Sequence, residues 1–150
     1  MPALYVIGRI LFAALFLVSG INKFLDLQSA AQAIGAHFAV PAHLTEYTSQ
    51  IETFTGMPLT QVIAILGGAI EILGALAIAT NLGARTFAVL LALLLVLTVF
   101  YFNDFWNAAA TERTASLFEA LKNLALIGAL LMIAGRPREL AASGSSYTDI

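Results

Sequence analysis

The side chains able to do chemistry in this 150-residue chain are few, and the most telling of them lie in apolar surroundings. Glu71 sits inside the apolar run from Leu59 to Thr80, within "GGAIEILGAL". At about 1.5 Å of rise per residue it would stand about 18 Å from one end of that run and about 13 Å from the other, near a bilayer midplane. An isolated charge there costs at least about 2.5 to 3.5 kcal/mol, so its carboxyl must be protonated, paired with a cation, or turned to a polar cavity. That makes Glu71 the candidate catalytic residue, as a proton carrier. Arg9, in the first apolar segment, lies about 7 to 10 Å in from the same membrane face that Glu71 lies about 13 Å from. A long guanidinium side chain spans that difference, and the spacing predicts a buried Arg9–Glu71 ion pair. The competing reading has Arg9 snorkelling to the headgroups and Glu71 neutral. A pair that forms can still be purely structural.

A second polar group gathers toward the opposite face. Asn22, Lys23 and Asp26 end the first apolar segment, Asn103 and Asp104 follow the third, and Glu119, Lys122 and Asn123 open the fourth. The last three share one helical face at spacings of three and four. They could form a polar mouth opening outward, or simply be solvated helix ends. The candidate ligand-binding set is therefore Arg9, Lys23, Glu71, Lys122 and Asn123. His37 and His43, with Glu46 following, match no specific metal-ligand spacing, and no metal site is assigned. Gly8, Gly20, Gly67, Gly68 and Gly74 suit close helix packing rather than a phosphate loop, and no nucleic-acid partner is expected. The chain has no cysteine, which excludes disulfides, thiol redox pairs, iron–sulfur ligation by thiolate and c-type haem attachment. Any redox role must use a bound cofactor, a substrate or another subunit.

Positioning these residues is the task of apolar helices. With 60% apolar residues, 11% charged residues and a mean hydropathy of +0.90, the chain lies far from the balance of a water-soluble domain. Four segments approach spanning length: residues 4–24, 59–80, 86–102 and 117–135. They predict a single all-α domain, a polytopic membrane protein built as a four-transmembrane-helix bundle, with an outer loop at 25–58 and a short tail at 136–150. Within the loop, Ser29 to Phe38 is apolar enough for an interfacial helix, and Pro41 and Pro58 punctuate the connection. Arg85 in "NLGAR" and Arg136 and Arg138 in "GRPREL" place both termini in the cytoplasm. The opposite connections carry Lys23 and Arg113 against Asp26, Glu46 and Glu52. Tyr5 on one side and Tyr101, Phe105 and Trp106 on the other suit interfacial belts. The N-terminal run is read as a retained span, because it lacks a basic start and the "AQA" at Ala31 to Ala33 lies too far beyond it for a signal-peptide cleavage site. A weak repeat, "GRILFAALFL" against "GARTFAVLLAL", allows a duplicated hairpin, although apolar helices resemble one another by composition alone.

The ordered set of Arg9, "SGINKF" with Gly20 and Lys23, "GGAIEILGAL" with Glu71 and Gly74, and "NLGAR" with Gly83 and Arg85 resembles the DoxX family of small four-helix bacterial membrane proteins. The resemblance runs over nearly the whole chain. It implies an inner-membrane, multi-pass subunit linked to an oxidoreductase complex, with Arg9, Lys23, Glu71 and Arg85 as the positions that carry over. On that footing the expected function is binding of a quinone or related small redox molecule in a polar intramembrane pocket, as an oxidoreductase subunit that takes its electrons from a partner. The alternative is a non-enzymatic scaffold, assembly factor or small-solute transporter. The expected partners are the lipid bilayer, redox subunits and a second copy in a homo-oligomer.

Overall fold

The computed structural model describes residues 2–38, 40–103 and 105–135. Arg136, Arg138 and the rest of the tail lie outside the described residues, as does Asp104. The described chain forms six α-helices and one 3₁₀ turn: α1 (Pro2–Leu25), α2 (Leu27–His37), the 3₁₀ turn at Ala42–Leu44, α3 (Thr45–Thr55), α4 (Leu59–Thr80), α5 (Ala84–Phe102) and α6 (Arg113–Ala134). Of these, α1, α4, α5 and α6 are long and apolar enough to cross a membrane. The expected four-helix membrane bundle is the observed one. α6 begins at Arg113 rather than Leu117, and the connection at 25–58 is largely helical.

Local chemistry sets the breaks. α1 stops before Asp26, whose carboxylate accepts the backbone N–H of Ser29 at 3.0 Å and so caps α2. Gly56 ends α3 at φ +67, a left-handed conformation that costs glycine nothing. Two residues on, Pro58 precedes α4, and the Glu52 carboxylate accepts the N–H of Leu59 at 2.8 Å. That bond satisfies one of the orphan donors that open α4. Between α4 and α5, Asn81 (φ +66) and Gly83 (φ +65) reverse the chain within "TNLGA".

α1 packs on α4, α4 on α5, and α5 on α6, while α2 lies along α4. α1 and α6 share no such packed interface and form the two flanks of the bundle. α1 and α4 are antiparallel, with Arg9 beside Ala79, Gly20 beside Gly68 and Ile72, and Lys23 beside Glu71. α2 continues along α4 toward its start, Gly35 lying against Thr60. The seven residues of α1 before Arg9 therefore overshoot the end of α4 by about 10 Å.

Small residues make these approaches possible. A Cβ on Gly20 would stand 2.7 Å from Ile72 Cγ1 and 2.8 Å from the Gly68 carbonyl oxygen. One on Gly74 would stand 2.7 Å from Leu91 Cδ1. With little hydrophobic drive between helices in lipid, such close packing must supply the attraction. Gly8 and Gly67 do not share this role, since a Cβ on either meets no atom within 4 Å. The core centres on Ile78, Leu91 and Leu130, with Ala13 and Phe16 of α1 against them. Outward, Leu4 and Leu11 on α1, Leu66 and Leu73 on α4, and Leu97 on α5 are exposed. So much contiguous apolar surface is untenable in water and natural against acyl chains. The protein is a multi-pass membrane protein.

Candidate functional site

The close approach of Gly20 to Gly68 brings Lys23, one turn further along α1, over Glu71 of α4. The Lys23 ammonium donates to both carboxylate oxygens, at 2.8 Å to Oε1 and 2.7 Å to Oε2, and to Ser19 Oγ at 3.1 Å. Its three protons are thus engaged. The Glu71 side chain is 9% exposed and that of Lys23 30%. A charged pair so placed is tolerable because the charges cancel and the carboxylate is hydrogen-bonded.

The expected Arg9–Glu71 pair is therefore replaced by Lys23–Glu71. An Arg9–Glu71 pair requires level helix ends, whereas α1 overshoots α4 and brings Arg9 opposite Ala79, about 12 Å along α4 from Glu71. There Arg9 Nη2 donates to the Ala79 carbonyl, one of the last four of α4 that have no partner within the helix. A cation at a helix C-terminus is also favoured by the macrodipole. The guanidinium lies 5.4 Å from the centroid of the Tyr5 ring. Arg9 lies at the other end of the bundle from the mouth.

The Lys23–Glu71 pair borders a cleft of about 1330 Å³ between the flanks of the bundle. Its walls are mainly apolar, with Phe16 and Val18 from α1, Leu94 and Leu97 from α5, and Leu126 from α6. Asn22, Asn103, Glu119, Lys122 and Asn123 also line it. Asn123 Nδ2 donates to Asn103 Oδ1 at 3.0 Å, and Lys122 Nζ donates to Glu119 Oε1 at 2.6 Å. Glu119 and Lys122 are 56% and 67% exposed, as befits a rim. Of the sequence-derived ligand set, Lys23, Glu71, Lys122 and Asn123 line one cleft and Arg9 does not. The sequence reading missed Ser19, which holds Lys23 in place, and Phe38, which reaches the cleft from the end of α2. Ser19 carried a signal: it precedes Lys23 by one helical turn. Gly67, its Cβ position empty, leaves room in the wall.

Around the mouth the aromatic residues cluster. Phe38 meets Tyr101 at 5.7 Å between centroids, His37 meets Phe102 at 5.0 Å, and Phe105 meets Trp106 at 5.0 Å. His37 Nδ1 lies 3.0 Å from the Ala33 carbonyl oxygen. Among the described residues no cluster of three or more His, Asp or Glu side chains could hold a metal ion.

These features define the class: a four-span membrane protein with an ion-paired, mostly apolar cleft between its helices. The model of the HR-like lesion-inducing family matches residues 1–135, and the chain belongs to that family. This match overturns the resemblance to the DoxX family, whose ordered motifs are short and made largely of residues common in any packed membrane helix. No curated protein and no solved structure matches the chain.

Proposed function

We propose that the protein binds a membrane-soluble small molecule with a hydrogen-bonding head, the head at Lys23 and Glu71 and the apolar tail between α1 and α5. The observation that carries this reading is an ion pair, with its carboxylate buried, bordering a large cleft whose other walls are mainly apolar. Such a cavity suits an amphipathic ligand: few placed polar groups orient the head, and apolar surface takes the rest. Val18 and Leu97 line the cleft and are also exposed, which gives a lipid-dissolved molecule a sideways way in. A quinone fits these terms when Lys23 turns one of the two N–H bonds it gives Glu71 to a ring carbonyl, and Glu71 relays one of the two protons that two-electron reduction takes up. Electrons would come from a partner redox subunit, in the bacterial inner membrane, with both termini cytoplasmic.

One observation favours a second, non-enzymatic reading. All three Lys23 protons are spent within the protein, so the pair can serve simply to lock α1 on α4 in a scaffold. The separating experiment is purification in native lipid with mass spectrometry of the small molecules and subunits retained, comparing wild type with Glu71→Gln. A quinone-like molecule bound to the wild type and lost from a folded variant supports the binding reading. Identical lipid profiles, with neither sample retaining such a molecule, would leave the scaffold.

A further inference from the structure

The short helix α3 takes no part in the cleft, and its own pattern has a use. At about 100° per residue, Tyr47, Ile51 and Phe54 fall within an arc of about 60°, with Leu44 just before the helix continuing it. All four are exposed, Phe54 at 93% and Tyr47 at 64%. Glu46, Ser49 and Thr53 occupy the opposite side. A free amphipathic helix would be a weak observation, but α3 is not free. Glu52 holds the N–H of Leu59, the first residue of a spanning helix, and Gly56 and Pro58 make the connection tight. α3 is thereby fixed at the level where α4 enters the membrane. It lies on the side of the aromatic cluster formed by Phe38, Tyr101, Phe105 and Trp106, residue types that collect at the headgroup boundary.

We propose that α3 is an interfacial helix, lying in the headgroup layer on the mouth side with Tyr47, Ile51 and Phe54 inserted among the upper acyl carbons. A bilayer is the occupant because the exposed apolar arc is tethered to the first residue of a spanning helix, on the side of the bundle where the interfacial aromatic residues gather. The helix carries Glu46 and Glu52 and no Lys or Arg, so insertion rests on apolar burial and does not require anionic lipid. In consequence α3 anchors the start of α4 at a set depth.

The test places a single tryptophan on α3 of the full-length protein in phosphatidylcholine vesicles. Trp106, the one tryptophan of the chain, is first replaced (Trp106→Phe), and Phe54→Trp is compared with Ser49→Trp on the opposite side. Both sites are exposed in the fold, so neither change disturbs packing, and far-UV circular dichroism checks the helices. Expected is a shorter-wavelength emission at position 54, loss of acrylamide quenching there, and strong quenching by lipids brominated near the top of the acyl chain. Position 49 should remain open to acrylamide. Equally strong acrylamide quenching at both positions would overturn the proposal in favour of a solvated helix. A shielded position 54 that brominated lipid fails to quench would overturn it in favour of a protein partner, such as a second copy.

Discussion

Lys23 and Glu71 form one unit, and their energetics should show it. Removing one partner leaves a charge without its counterpart in poorly hydrated surroundings, so Lys23→Met and Glu71→Leu are each expected to destabilise by about 2 kcal/mol, discounted for the partial exposure of Lys23. The double variant should lose clearly less than the sum, read as a double-mutant cycle from unfolding in mixed micelles; additive losses would mean the two groups do not interact. Arg9→Met belongs to a different unit. It should loosen the last turn of α4, seen as faster amide exchange at residues 77–80, while ligand retention in native lipid is unchanged. Asp26 lies outside the spans, and the hydroxyl of Ser29 first, then its backbone N–H, holds its carboxyl below the usual carboxylate range. A folded-state pKa that is lowered adds stability above the unfolded value and loses it as pH falls through the folded one. The melting temperature of wild type should therefore exceed that of Asp26→Ala by a constant margin at neutral pH. That margin should narrow on acidification through and below about pH 3.9; a gap independent of pH would remove the charge from the cap.

Among the elements, the α1–α4 contact decides the geometry of the cleft. It is closest where Gly20 crosses Gly68, and this crossing sets the register that places Lys23 over Glu71. Gly20→Ala is expected to cost about 1 to 3 kcal/mol by overpacking against Ile72 and the Gly68 carbonyl, despite the helix propensity alanine brings. Gly67→Ala, facing open space in the cleft, should be neutral or slightly stabilising and should reduce ligand uptake by volume alone. Thermal unfolding of the two variants in one detergent makes the comparison, and equal losses would refute the crossing. α2 matters for a related reason: lying along α4, it carries the packing past the end of α1 and brings Phe38 to the cleft.

For the whole molecule, four antiparallel spans put the α2–α3 connection and the α5–α6 connection on one side and the α4–α5 turn on the other. Because the chain lacks cysteine, an introduced residue is the sole thiol. Ser49→Cys and Leu82→Cys, both exposed, should react with an impermeant maleimide from opposite faces of sealed vesicles. Reaction from the same face would break the four-span topology. The flank between α1 and α6 gives the bundle its cleft, because the packed series α1–α4–α5–α6 stops short of a complete ring among the described residues.

Much of this architecture was legible in the residues. The four spans were readable because a helix that crosses lipid must satisfy its backbone internally and present some 20 apolar side chains, a constraint that leaves a strong local trace. α4 matches its expected limits, 59–80, and the polar residues Lys23, Glu71, Lys122 and Asn123 stood out against so apolar a background. Their partners were not readable. Apolar periodicity says that a helix packs, and leaves open how far it slides along its neighbour. That slide is set by where Gly20 meets Gly68, a match of shapes between segments nearly 50 residues apart in sequence. The short motifs misled for a similar reason, since glycine and alanine at helical spacing are the general means of packing helices in lipid. The apolar runs and the charges within them by themselves determined that this is a four-span membrane protein with charge in its interior; only the tertiary structure, through the stagger of α1 on α4, decided that Lys23 rather than Arg9 answers Glu71 and that the pair borders a cleft.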